Sequence, residues 1–240
     1  MDFNISNQRT GSAYSNEIEF AAEQQRFMTK VYGWMSLALG ITGLVAFWTA
    51  SNPTLINLIF GSQIVFFILI IAQLLIVGGL VGFINKISAQ MATLIFILYS
   101  ILTGLTLSVV FLVFTSESLA QTFFITAITF AIMSFYGYTT KTDLTKLGNI
   151  LLMALIGIII ASIVNMFMQS EMLYWITSYI GVLIFVGLIA YDTQKIKNLN
   201  IIGNEGTEED KKEAILGALT LYLDFINLFL FLLRIFGRKK

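Results

Sequence analysis

Residues 214–236 read Ala214-Ile-Leu-Gly-Ala-Leu-Thr220-Leu-Tyr-Leu-Asp224-Phe-Ile-Asn227-Leu-Phe-Leu-Phe-Leu-Leu-Arg234-Ile-Phe236, a long apolar run with a carboxylic acid near its middle. An α-helix rises about 1.5 Å per residue and needs about 20 residues to cross the hydrocarbon core of a bilayer, so the run reads as a membrane-spanning helix. Its polar side chains are not scattered. Thr220, Asp224, Asn227 and Arg234 recur at i, i+4, i+7 and i+14 and share one helix face. An acid at the centre of a spanning helix costs about 2.5–3.5 kcal/mol on the insertion scale and marks a functional group by default. A polar stripe of this kind must face a bundle interior or a wet cavity, which predicts a central position for this helix.

The rest of the chain has the same character. It holds 240 residues, 57% hydrophobic and 12% charged, with a mean hydropathy of +0.84, whereas soluble domains carry about 25% charged residues. Six further apolar runs fall at about 30–50, 64–84, 91–114, 121–139, 149–168 and 172–192. The fold class is therefore all-α, a polytopic membrane protein with seven transmembrane helices and a central seventh. Continuous apolar runs exclude a β-barrel, whose strands alternate. With no His and no Cys, the chain has no Ser-His-Asp triad, HExxH zinc site, disulfide or thiolate metal site. No enzymatic activity and no resident cofactor are expected. A formal net charge of zero gives no bulk field for nucleic acid.

Three parts are expected: a polar cytoplasmic tail over 1–26, a seven-helix domain over 27–237 and a basic tail over 238–240. The first part mixes Asp2, Glu17, Glu19 and Glu23 with Arg9 and Arg26 and reads as a short, partly disordered tail. Ten Lys and Arg residues precede the last segment, all in alternate connectors and none in the others, a positive-inside pattern with a cytoplasmic amino terminus. Arg234, Arg238, Lys239 and Lys240 follow the same run of chain and disagree, since seven full crossings would export them. Either the last segment crosses against the rule or it is re-entrant. The seven-span alternative is favoured. Small residues at helix-contact spacing (Gly33, Ser36, Gly40 and Gly43; Ser100, Gly104 and Ser108; Ala154, Gly157 and Ala161) are expected at helix contacts. Gln73, Asn165 and the mid-span Thr residues are expected as interhelical hydrogen-bond partners.

The second intramembrane acid is Asp192, near the end of the sixth run. Asp192 and Asp224 lie on consecutive helices, which often pack side by side, so their carboxyls can meet. Two carboxyls within hydrogen-bond distance at low dielectric share a proton; when both ionise they repel unless a cation enters, and hard oxygen ligands suit Ca²⁺. The bland alternative has Asp192 snorkelling to pair with Lys195 and Asp224 as a satisfied core acid. For the pair to meet, the sixth helix must continue past Asp192 through Lys195, with Lys195 and Lys197 reaching the headgroups. An intramembrane aspartyl protease is a poor match, because Leu221-Tyr-Leu replaces the expected Gly-x-Gly before Asp224 and the only proline is Pro53. A retinal protein is disfavoured by the absence of a mid-span Lys in the last run. Asn198 to Glu209 weakly imitates an EF-hand, with Gly203 at the sixth place but Ile202 at a ligand position. Thr207-Glu-Glu-Asp210 reads better as a helix N-cap.

Four motifs carry a resemblance: Ser134-Phe-Tyr-Gly-Tyr-Thr-Thr-Lys-Thr-Asp143-Leu, Ile159-Ile-Ala-Ser-Ile-Val-Asn165, Gly187-Leu-Ile-Ala-Tyr-Asp192-Thr-Gln-Lys-Ile, and Leu221-Tyr-Leu-Asp224-Phe-Ile-Asn-Leu-Phe. Over roughly residues 27–236 the chain resembles the Bax inhibitor-1 family, also called the transmembrane Bax inhibitor motif family, and its bacterial members in particular. The resemblance implies six helices around a central seventh and an aspartate pair, here Asp192 and Asp224, acting as a pH-sensitive latch on a calcium leak. It also implies that both carboxyls contact Ca²⁺, the transported ion. Support for the latch or pore falls to Lys86, Thr220, Asn227, Arg234 and Asn165. In a family member an arginine at the cytoplasmic end of the second helix engages the latch; around Asn85 and Lys86 this chain has no Arg, and Lys86 supplies the charge without the planar fork. The implied location is the bacterial inner membrane. Bacterial relatives have been linked to membrane-bound proteolysis, which leaves a scaffold or regulator with a membrane-protein partner, such as a protease, as the alternative.

Overall fold

The computed structural model describes the backbone of residues 3–201 and 203–240 and side chains from residue 19 onward; Met1, Asp2 and Ile202 lie outside the described residues. Eight α-helices follow one another among them: α1 (Phe3–Ala50), α2 (Pro53–Phe60), α3 (Gln63–Phe83), α4 (Ala89–Val113), α5 (Ser116–Thr139), α6 (Thr145–Met168), α7 (Glu171–Leu199) and α8 (Glu208–Phe236). Seven of them are long and apolar enough to cross a membrane, in register with the seven runs of the sequence. The eighth, α2, was hidden in the first connector. Asn52 caps it by accepting from the backbone N–H groups of Thr54 and Leu55, and Pro53 opens its first turn, where a missing N–H costs nothing. Thr207 caps α8 through the Asp210 N–H, as its sequence predicts. The tail before residue 27 joins α1 from Phe3 rather than forming a separate disordered segment, consistent with the strong helix formers Ala21-Ala-Glu-Gln-Gln.

Burial separates the helices. In α8, 56% of the hydrophobic window lies inside the bundle, against 6–39% for the other spans. It packs on α1, α4, α5 and α7, while α3 leans mainly on α4 and α6 on α7. One face of α8 carries Tyr222, fully buried, with Phe96 and Tyr99 edge-on to its ring and its hydroxyl 2.7 Å from Thr42 Oγ1. The opposite, polar face looks into a cavity beside α6 and α7.

The last helix traverses the whole bundle, so the re-entrant alternative fails. At its start, Glu208 accepts from the Ala89 N–H at the beginning of α4 (2.8 Å). At its end the Lys240 N–H donates to Val113 O, the Thr115 N–H donates to Arg238 O, and Lys240 Nζ donates to Phe111 O. The basic tail thus satisfies carbonyls left open by the end of α4. Charge is concentrated at the other end. There Arg26 grips Glu205 through two nitrogens (2.9–3.0 Å), Lys30 pairs with Asp210 (2.8 Å), and Glu23 accepts from the Gly203 N–H. The Arg26 hydrogen bond holds the Glu205 carboxyl below the ordinary Glu range.

Two expectations about packing need correction. Gly33, Ser36, Gly40 and Gly43 are exposed on α1, whose buried face instead carries Met28, Val31, Met35, Ala38, Thr42, Ala46 and Thr49. Gly157 is likewise exposed, whereas Gly104 does meet Thr42 and Val45. Lipid tails are as apolar as a helix surface, so small-residue spacing does not tell which side meets protein. Gln73 binds α4 as expected, weakly, at Leu102 O and Thr106. Asn165 does not bridge helices; its carbonyl accepts from the Ser170 N–H and closes the turn after α6.

The closest helix approaches fall at glycines the spacing did not single out. A Cβ on Gly137 would collide with the backbone of Ala190. Gly137→Ala should therefore destabilise the protein by about 1–3 kcal/mol through overpacking, whereas Gly33→Ala, with nothing within 4 Å of the added carbon, should be neutral or slightly stabilising. Thermal unfolding of the two variants in the same detergent is the measurement.

Candidate functional site

The second half of α7 is held in place by the α5–α6 region. Helix α7 continues past Asp192 to Leu199, as a meeting of the acids requires. Gln194 accepts from the Leu144 N–H and donates to Thr142 O, both at 2.8 Å. Lys197 Nζ donates to Tyr138 O at 2.8 Å and lies over the Tyr138 ring. A hydroxyl chain links three helices: Tyr32 to Ser134 at 2.6 Å and Ser134 to Thr193 at 3.0 Å. Gly137 and Gly148 leave room for Ala190 and the Tyr191 ring. The motif ending in Asp143 and the motif around Asp192 are thus two sides of one contact. Asp143 itself is exposed in the connector, where hydrogen bonds from Thr145 hold its carboxyl below the usual Asp range.

That frame fixes Asp192 against α8. Asp192 and Asp224 are 8% and 5% exposed, and both line one cavity. Asp224 Oδ2 has no hydrogen-bond partner among the described residues. Lys195 is near, but its ammonium lies over the Tyr191 ring and makes no ion pair with Asp192 among the described residues. The bland alternative of a snorkelling Asp192 and a satisfied Asp224 therefore does not describe the site.

Two cavities reach Asp192 and Thr220 from opposite ends of the bundle. The larger, about 700 Å³, is walled by α6, α7 and α8 and runs from Arg234 and Tyr174 past Asn165 and Asn227 to Asp192, Thr220 and Asp224. The smaller, about 280 Å³, leads from Leu199 and Glu213 to Asp192 and Thr220. The stripe read from α8 lines the larger cavity along its length. Thr220 Oγ1 donates to Leu216 O and the Asn227 amide to Leu223 O, so the Thr220 hydroxyl can still accept through its lone pairs and the Asn227 side-chain oxygen stays free of the helix. Arg234 stands at the mouth, its guanidinium 5.7 Å from the Tyr174 ring centroid and 5.0 Å from that of Phe231.

Lys86 is not brought to the pair. It ends the 3₁₀ turn Ile84–Lys86, is exposed, and lies over the ring of Phe83. This turn aims the side chain at the surface, away from both cavities. Among the described residues no three His, Cys, Asp or Glu side chains converge as a metal cage. Bound Ca²⁺ takes six to eight oxygen ligands, more than the carboxyls of Asp192 and Asp224 supply.

A sequence profile of the family described as "Inhibitor of apoptosis-promoting Bax1" matches residues 24–240. The chain is 54% identical over 217 residues to the inner membrane protein YbhL of Escherichia coli K12, covering 90% of this chain and 93% of that one. It is 48% identical to an uncharacterised protein of Borreliella burgdorferi, covering 90% and 94%. A further relative, an uncharacterised protein of Rickettsia prowazekii, is 44% identical over 97% and 98% of the two chains.

Because the chain contains no cysteine, single introduced thiols report access cleanly. Thr220→Cys, lining both cavities, should react with a charged thiol reagent applied from either side of sealed vesicles. Asn227→Cys should react at least about tenfold faster from the side of the α8 carboxy-terminal end, and Leu216→Cys from the other. Mass-spectrometric labelling rates decide it; one-sided labelling of Thr220→Cys would contradict the junction of the two cavities.

Proposed function

The chain belongs to the Bax inhibitor-1 family, and on that premise we propose that it is a pH-gated passive path for Ca²⁺ whose gate is the pair Asp192 and Asp224. One observation carries the reading: two cavities entering from opposite ends of the bundle terminate on the same two residues, Asp192 and Thr220, with Asp224 beside them. While the pair shares a proton, α7 and α8 are drawn together. Loss of that proton leaves two negative charges in a poorly solvated space, where they repel each other and attract a hard dication. Raising the pH therefore opens the path and acidification closes it. The polar stripe of α8 supplies oxygens along the way, and the buried position of α8 makes it the element against which the others move. The name of the Escherichia coli relative and the distribution of basic residues support placement in an inner membrane with a cytoplasmic amino terminus.

The alternative, a scaffold or regulator of membrane proteolysis that needs no ion path, is favoured by the length of α1. Its 48 residues exceed what a span requires by more than a factor of two, which leaves a helical handle outside the bilayer.

Liposomes loaded with a Ca²⁺-sensitive dye test the first reading. Wild-type flux should rise with pH. Asp224→Asn, which keeps the shape and removes the charge, should flatten the pH profile and lower flux at alkaline pH by about tenfold, the equivalent of roughly 1.4 kcal/mol of lost cation stabilisation. Equal flux and equal pH dependence in wild type, Asp192→Asn and Asp224→Asn would sink the latch. Deleting residues 1–18 tests the alternative, since it spares Glu23 and Arg26, which bind the α7–α8 loop. Flux should survive the deletion if the path is intrinsic, whereas co-purification of a partner should vanish if the handle is its binding element.

A further inference from the structure

Arg234 is the feature of the larger cavity that a cation path does not use. It offers a passing cation no oxygen. Its guanidinium makes no ion pair among the described residues, and its two contacts are with the ring faces of Tyr174 and Phe231. Tyr174 belongs to an aromatic cluster with Trp175 and Tyr179 in the first turns of α7. Trp48, near the end of α1, is exposed at the same end of the bundle. Exposed Trp and Tyr at the ends of spans mark the level of the lipid headgroups. Arg234, itself exposed, thus lies beside two rings at headgroup height, with its hydrogen-bond fork unpaired among the described residues.

Beneath it lies a long space with an apolar wall. Helix α6 touches mainly α7, and the cavity between α6 and α8 is faced by Leu155, Ile159, Ile163 and Phe185. No residue of α3 or α4 closes it. Charge is also one-sided here: Arg234, Arg238, Lys239 and Lys240 lie at this end against Glu117 and Glu171. A positive fork at headgroup level above an apolar cleft matches an amphiphile with an anionic head and a hydrocarbon tail.

We propose that the cleft between α6 and α8 is a binding site for one anionic phospholipid, its phosphate held by Arg234 between Tyr174 and Phe231 and one acyl chain lying along α6. The site goes beyond the leak and does not depend on it, because lipid retention is read without any flux. The occupant is a membrane lipid rather than free phosphate, since the apolar wall below the guanidinium contributes only if a chain fills it.

The test uses the full chain, delipidated in detergent and titrated with phosphatidylglycerol or phosphatidylcholine of matched acyl chains under native mass spectrometry. Wild type should bind phosphatidylglycerol about tenfold more tightly, the effect of one charge-assisted bidentate contact. Arg234→Gln should abolish that preference and Arg234→Lys should keep part of it. Arg238→Gln, whose side chain does not line the cleft, should leave it unchanged. Ser162→Trp, which fills the cleft and leaves Arg234 in place, should lose both lipids and decides the matter if the Arg234 variants do not fold. An unchanged preference in Arg234→Gln, an equal loss in Arg238→Gln, or undiminished binding by Ser162→Trp would overturn the site.

Discussion

The constraint on which this bundle turns is the burial of two carboxylic acids, Asp192 and Asp224, in helices long and apolar enough to cross a bilayer. A charged side chain at mid-span costs several times the thermal energy, and one oxygen of Asp224 has no hydrogen-bond partner among the described residues. Such a pair can be held only if the two helices bearing it are fixed from outside. Helix α7 is fixed by the α5–α6 connector through Gln194 and by Tyr138 through Lys197, and Gly137 lets α5 come close enough for those bonds to form. Helix α8 is fixed by the Tyr222 hydroxyl to α1 and by its two aromatic neighbours on α4. The hydroxyl chain from Tyr32 through Ser134 to Thr193 joins the two supports. These polar contacts lie on the faces of α7 and α8 that pack into the bundle, and the acids lie at their junction with the cavities.

The same constraint explains why burial is uneven. Backbone groups in every span are satisfied within the helix, so a helix with no buried polar side chains can lean on one neighbour and face lipid elsewhere. Helices α3 and α6 do this, with 6% of each window inside the bundle. Helix α8 cannot, because its polar stripe and Tyr222 occupy opposite faces and both need cover. Dense packing is therefore concentrated on α1, α4, α5, α7 and α8, while the space beside α6 is left for solvent or lipid.

The number of spans, their positions and the α8 stripe were legible in the sequence because each is a periodicity within a single segment. Asp192 and Asp224, which line one cavity, could be singled out in advance because an acid in an apolar background is conspicuous. Features that depend on a distant segment were not legible. Nothing local distinguishes Gly137, which admits Ala190, from Gly33, which meets nothing. Ser134 and Thr193 become a hydroxyl chain only when Tyr32 arrives from 102 residues away in sequence. Lys86 was assigned to the pair by position in a resemblance, and the 3₁₀ turn that carries it faces the other way. The short α2 escaped because its eight residues are too few for a span and were absorbed into a connector.

The basic carboxy-terminal tail poses a conflict between two physical preferences, and the contacts at its end show how it is resolved. The charge distribution would keep all basic residues on one side, which requires the last segment to turn back. Turning back would withdraw Tyr222 from Thr42 and Asp224 from the cavity it shares with Asp192, exposing buried polar groups to lipid at several kcal/mol each. Against that, a few exposed Lys and Arg at the far surface cost little once each has something to hold. Lys240 takes a carbonyl at the end of α4, the backbone of Arg238 takes the Thr115 N–H, and Arg234 takes two aromatic faces. Packing of the most buried helix therefore outweighs the charge rule, and the tail becomes part of the clamp that closes the far end of the bundle.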